Sequence, residues 1–329
     1  MLTRTLLSSF LAVVALATPA AAQIEDEFVA KSRVFTEAGP GLRAVRRDAS
    51  GNYYVLTTSA VAVYNAEGKL IKKIPDAPAA KGPAPAQTTT ILYGEDLDVD
   101  AEGRIYVADR AANAIKIFFP DGSTKMISVN APTSVAALAG GEVAVTTWHS
   151  VRLVTVFDLQ GKVVREFGDP TELADRKELN RFLNIGRLTT DPESHIYYAF
   201  NYLPEPTVRK YDRYGYSSLE INVATLEFQP TAQAARHEIE RQERGGTPAF
   251  KPVVTACGVD PLTQDVWIAL HGFLLHFDRE GNRRGTYRTY TPEGARLESM
   301  TILIEPGRLL LGADPLGVYE FPRPDKKLP

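Results

Sequence analysis

The sequence predicts an all-β fold, six four-stranded sheets closed into a ring. Three observations carry that prediction: a turn glycine that recurs five times, an aromatic residue four positions before each of those glycines, and a last copy that stops one strand short. The glycines close Asn65-Ala-Glu-Gly68, Phe119-Pro-Asp-Gly122, Asp158-Leu-Gln-Gly161, Asp212-Arg-Tyr-Gly215 and Asp278-Arg-Glu-Gly281. In such turns glycine supplies a positive φ and an Asx side chain caps the backbone. The aromatics are Tyr64, Phe118, Phe157, Tyr211 and Phe277. Five in one register mark a fixed strand position that packs between neighbouring sheets. A long internal repeat of this kind is the signature of a propeller or solenoid.

Each copy has an earlier turn as well, at Asp48-Ala-Ser-Gly51, Asp100-Ala-Glu-Gly103, Ala139-Gly140-Gly141, Asp191-Pro-Glu-Ser194 and Asp260 to Asp265. Tyr53 to Leu56, Ile105 to Ala108, Val143 to Thr146, Ile196 to Ala199 and Val266 to Ala269 follow these turns and read as strands rich in β-branched and aromatic residues. A sixth copy, Met300 to Phe321, has strands and Gly307 but lacks an outermost strand. A closed ring leaves no sheet edge exposed, so the missing strand has to come from elsewhere. Arg33-Val34-Phe35, ahead of the first copy, is the expected donor. Two stacked β-sandwiches would instead need a linker near the middle and would break the turn register across it.

Spacing between the second-turn glycines is uneven: 54 residues from Gly68 to Gly122, 39 to Gly161, 54 to Gly215 and 66 to Gly281. The excess lies between copies. Pro75 to Gly94 reads as an irregular loop. Asp169-Pro-Thr-Glu172 has the cap, proline and glutamate of a helix start, running to Leu183. Val223 to Val254 holds a second expected helix, Pro230 to Arg244, ended by Gly245-Gly246. In a four-stranded blade these links leave from the face that carries the loop between the second and third strands. All three insertions are therefore expected on one face.

The N-terminus reads as an export signal: Arg4, an apolar run from Leu6 to Ala17, then Ala20-Ala-Ala22 before Gln23. That run is too short to span a bilayer. The reading is a cleaved leader over residues 1–22 and a single domain over 23–329, periplasmic or secreted, without a membrane span and monomeric. Removing Arg4 takes the formal net charge from −3 to −4, which argues against a polyanion binder and so against nucleic acid. The one cysteine, Cys257, sits in an apolar stretch and reads as a buried, inert thiol.

Leu97-Asp-Val-Asp-Ala-Glu-Gly-Arg-Ile-Tyr-Val-Ala-Asp109, continuing to Ile115-Lys-Ile-Phe-Phe119, resembles the NHL repeat and the wider group of six-bladed β-propellers that includes gluconolactonase-like and amidating-lyase-like enzymes. The resemblance runs from about Arg33 to Phe321 and implies a fold more than an activity. For the lactonase type it implies one divalent cation, Ca or Zn, at the channel mouth, held by Glu, Asn and Asp oxygens. Glu95, Asn201 and Asp314 are the residues that match. The amidating-lyase type would want several histidines around zinc, where only His271 and His149 are suitably placed.

Aligning the copies on their first turns puts Thr58, Arg110, Trp148, Asn201, His271 and Asp314 at one place, just after the second strand. With His149 and Asp109 beside them, these side chains form a mixed ring that suits a peptide, glycan or protein partner. Arg43, Glu95, Asp96 and Arg187 stand at inner-strand starts that approach the channel. Two functions follow as expectations: a binding protein without chemistry, or a metal-dependent hydrolase or lyase with His271 or Asp109 as general base. His237-Glu-Ile-Glu-Arg241 lacks the second histidine of a zincin helix, and no nucleophile elbow is present.

Overall fold

A computed structural model describes residues 26–75, 89–148, 151–245 and 249–324. The leader expected over residues 1–22 lies outside them. Among the described residues, twenty-five strands form six sheets around one axis. Blade I holds β3 (Leu42–Arg47), β4 (Tyr53–Thr57), β5 (Val61–Tyr64) and β6 (Leu70–Ile74). Blade II holds β7 (Gly94–Val99), β8 (Ile105–Asp109), β9 (Ala114–Phe118) and β10 (Thr124–Ser128). Blade III holds β11 (Pro132–Ala137), β12 (Val143–Thr147), β13 (Val154–Phe157) and β14 (Val163–Phe167). Blade IV holds β15 (Gly186–Thr190), β16 (Ile196–Phe200), β17 (Thr207–Tyr211) and β18 (Ser217–Asn222). Blade V holds β19 (Ala256–Val259), β20 (Val266–Leu270), β21 (Phe273–Phe277) and β22 (Arg283–Tyr290), and blade VI holds β23 (Thr301–Glu305), β24 (Arg308–Ala313) and β25 (Gly317–Pro322). The chain is a six-bladed β-propeller, and the inner strands β3, β7, β11, β15, β19 and β23 touch in that order and back to β3.

The repeat works as its chemistry requires. Gly68, Gly122, Gly161, Gly215 and Gly281 all have φ between 78° and 97°, a region other residues seldom enter. Four of the five aromatics ahead of them sit at a β-bulge, and all five are buried between blades. At the first turns, Asp48 accepts from the Asn52 amide and the Tyr54 hydroxyl, Asp100 from Arg104 and Tyr106, and Asp191 from His195 and Tyr197. One aspartate thus ties a turn to its second strand in three blades.

Strand β2 (Ser32–Val34) completes blade VI, antiparallel to β25. Ahead of it β1 (Asp26–Val29) adds a fifth strand to blade V, parallel to β22, an addition that no repeat signal announces. The segment therefore straps two blades together. Phe28 packs on Tyr287 and Phe321, and Phe35, at φ 56°, packs on Tyr53 and Tyr64.

Among the described residues of the second insertion, the helix is α1 (Lys177–Leu183), so the expected start at Asp169 is corrected. Residues 169–176 stay irregular, with Asn184 Oδ1 accepting from Thr171 N and Asn180 Oδ1 from Leu173 N and Ala174 N. Side-chain acceptors supply there what a helix would take from its own carbonyls. In the third insertion α2 spans Gln229–Glu243, with Pro230 in its first turn and Gly245 at φ 88° after it.

Candidate functional site

The insertions share one face. Asp175 N donates to Glu243 Oε1 at 2.6 Å and Arg176 Nη1 to the Gln242 carbonyl at 3.0 Å, while Leu179, Leu183 and Ile239 form an apolar contact between α1 and α2. The described end of the first insertion brings Tyr93 to the same place. Residues 76–88 lie outside the described residues.

Beneath this roof the channel opens into a cavity of about 290 Å³. Each blade contributes the first channel-facing residue of its inner strand or the residue just before it: Arg43, Glu95, Thr133, Arg187, Thr255 and Met300. In blades I, II and III that residue sits at a bulge, between Leu42 and Ala44, Gly94 and Asp96, and Pro132 and Ser134. A bulge adds one unpaired residue and re-aims its side chain. The same cavity is lined by Arg110, Trp148, Asn201 and Tyr202.

Polar contacts fix these groups. Arg110 Nε pairs with Glu95 Oε1 at 2.9 Å, and its guanidinium lies over the rings of Tyr93 (4.8 Å) and Trp148 (5.5 Å). Arg43 also lies over the Tyr93 ring, 4.9 Å from its centroid, and donates to the Tyr93 hydroxyl. Trp148 is 37% exposed and meets Phe182 of α1 edge-on, and Phe182 packs on Tyr202 and Phe250. Asn201 is 8% exposed; its backbone carbonyl takes Val253 N and its Nδ2 donates to Val254 O, while Oδ1 has no partner.

Of the ring expected from the repeat, the cavity gathers Arg110, Trp148 and Asn201, together with Glu95. His149 lies outside the described residues. His271 and Asp314 do not line it. His271 and Gly272, at φ 42° and 81°, make the two-residue hairpin turn between β20 and β21. Asp314 Oδ1 instead accepts from Gly41 N at 2.9 Å, at the seam between blades VI and I. Equal register sets equal height, but loop geometry sets direction.

The cation expected at Glu95, Asn201 and Asp314 does not fit this arrangement. Glu95 is engaged by Arg110, Asp314 by Gly41, and among the described residues no three His, Cys, Asp or Glu side chains gather as ligands. Asp109 is corrected as a general base. It is fully buried with Lys116 at 2.9 Å, and it accepts from Leu92 N, Tyr93 N and Ala112 N. Burial pushes its carboxyl up, but the amides and Lys116 outweigh that and hold it below its ordinary value. It is an anchor for the loop that carries Tyr93.

Deeper in the channel a polar chain crosses four blades. Arg46 Nη2 meets Asp96 Oδ1 at 3.1 Å, Ser134 Oγ donates to Asp96 Oδ2, and Leu188 N donates to Ser134 Oγ at 2.9 Å. Beyond it a second cavity of about 400 Å³ opens at the other mouth, lined in part by Arg46, Arg47 and Asp98. Cys257, expected to be buried, is half-buried, and burial pushes its thiol up to about 12. Burial also pushes Asp98 up to about 6, against Arg46 and the amides of Ala137 and Val99. A carboxyl raised in the folded state adds stability below its unfolded value and loses it as pH rises through the folded value. Wild type is therefore expected to lose stability relative to Asp98→Asn between pH 4 and pH 6, measured as the difference in urea midpoint. A pH-independent difference overturns that assignment.

No family model and no curated protein matches the sequence. Solved structures with the same fold include virginiamycin B lyase from Staphylococcus aureus, at 13% identity and a TM-score of 0.54, covering 90% of this chain and 88% of that one. A streptogramin B lyase is similar at 10% identity and a TM-score of 0.55, over 89% and 86% of the two chains. A protein of unknown function from Bacteroides thetaiotaomicron matches at 11% identity and a TM-score of 0.55, over 92% and 75%. At these identities the likeness establishes the six-bladed fold.

Proposed function

We propose that the mature chain, residues 23–329, is exported and serves as a binding protein that holds a small polar ligand, or the end of a peptide or glycan, at the roofed channel mouth. One observation carries this reading. Six blades each send a residue to a single cavity, Arg43, Glu95, Thr133, Arg187, Thr255 and Met300, and Trp148 and Tyr202 add an aromatic wall. Concave sites with an apolar wall and a few convergent polar groups are the usual form of a ligand site. Its volume suits a small molecule more than a protein surface.

Two of the similar folds are lyases named for virginiamycin B and streptogramin B. A metal-assisted lyase here would have to free Glu95 from Arg110 and recruit an oxygen donor other than Asp314. Binding without chemistry needs neither change.

A thermal-shift screen of the mature chain against a small-metabolite library tests the reading. Hits are expected to disappear in Trp148→Ala, whose own melting temperature should stay within about 2 °C of wild type, since exposed substitutions usually change stability by under 0.5 kcal/mol. Hits that survive both Trp148→Ala and Tyr202→Ala would place the site elsewhere. Amino-terminal sequencing of exported protein is expected to begin at Gln23, and a retained Met1 would remove the export claim.

A further inference from the structure

We propose that this mouth is built for a small organic dianion, a dicarboxylate whose two ends meet Arg43 and Arg187 across the channel axis; the proposal rests on reading the mouth as a ligand site. Blades I and IV are three places apart in a ring of six, so their inner strands face one another across the channel. Arg43 and Arg187 occupy matching places at the starts of those strands and line the same cavity.

Charge decides the class. Arginine stays ionised at any physiological pH, and a partly desolvated cation without a counter-charge is costly. The one carboxylate in the lining, Glu95, is already paired with Arg110. Arg43 donates to the neutral Tyr93 hydroxyl, and its Nε is buried without a partner. Arg187 is half-buried and makes no hydrogen bond or ion pair with any described residue. Two positive charges are left over. The opposite mouth shows the contrast, because there Arg46 is paired with Asp96 and Asp98, and Arg47 with Glu305 at 2.9 Å. Among the described arginines that line the two channel mouths, those without a carboxylate partner, Arg43 and Arg187, stand at the roofed end, where their planar forks match carboxylates.

A second observation refines the ligand. Asn201 Oδ1, on a side chain more than nine-tenths buried, is an acceptor without a donor. Buried polar groups are normally satisfied, so a hydroxyl or N–H between the two carboxylates completes the site. A hydroxy-dicarboxylate carries all three features.

Titration calorimetry of the mature chain with succinate, malate, glutarate and adipate, and with succinamide as the neutral isostere, tests this. At least one dicarboxylate is expected to bind, malate more tightly than succinate, with no heat from succinamide. Arg187→Met and Arg43→Met should each weaken binding by tenfold or more, Arg187→Lys by less, and Arg47→Met at the other mouth not at all. Rising salt should weaken it, as it does for charge-driven binding. Succinamide binding as well as succinate, and lost in Trp148→Ala, would overturn the charge assignment while leaving the ligand site standing. Unchanged affinity in Arg187→Met, or no heat from any of the four dicarboxylates, overturns the proposal outright; the library screen then judges the site by itself.

Discussion

Removing residues 26–35 is expected to leave a protein that aggregates on expression or melts at least 10 °C below wild type. These ten residues supply the outermost strand of blade VI and a fifth strand of blade V, and they bring two buried phenylalanines. Burying an aromatic and then losing it costs about 3–5 kcal/mol per Phe→Ala change. In a chain of this size each kcal/mol lowers the melting temperature by roughly 2–4 °C or less. The exposed edges of β22 and β25 would add a template for pairing with other copies. Phe28→Ala separates the two effects, because it keeps the strands and removes only the packing on Tyr287 and Phe321. It should lower stability without aggregation. Scanning calorimetry with light scattering reads both, and a truncated protein that melts with wild type would show that the strap does not close the ring.

Lys116→Ala is expected to cost about 3–5 kcal/mol, the usual penalty for stranding one charge of a buried pair. Lys116 and Asp109 are both 0% exposed, and Lys116 Nζ also donates to the Thr90 carbonyl. Ala62, Thr155, Arg209 and Leu275 stand at the matching place in blades I, III, IV and V, so none of these blades repeats the pair of blade II. Its reason lies in the first insertion, since the Asp109 carboxylate holds the amides of Leu92 and Tyr93. Losing it should loosen Tyr93 from Arg43 and Arg110 and weaken ligand capture as well as stability. Lys116→Met with Asp109→Asn should recover most of the stability, because neither partner is then left charged. Urea unfolding of wild type, Lys116→Met, Asp109→Asn and the double variant gives the coupling between the two positions. A double variant no more stable than Lys116→Ala would rule out the unpaired charge as the cause.

The sequence by itself determined the ring. Turn glycines and aromatics act through contacts within one blade and its neighbour, so their chemistry repeats wherever the repeat does, and the strand missing after Phe321 already demanded a donor such as Arg33 to Phe35. It also determined that Arg110, Trp148 and Asn201 stand at one level of the fold, and that Arg43, Glu95 and Arg187 approach the channel. Tyr93 and Tyr202 were missed, although each neighbours a position already singled out, Tyr202 directly after Asn201 and Tyr93 two residues ahead of Glu95. Only the tertiary structure decided which side chains share the cavity. His271, in the turn between β20 and β21, does not line it, the Gly41 amide holds Asp314, and Lys116 neutralises Asp109. Bulges aim Arg43, Glu95 and Thr133 at the mouth. Register is a local property that a repeat writes into the chain, whereas the direction and charge partner of a side chain depend on residues up to 273 positions away, as Gly41 and Asp314 are, and no spacing records them.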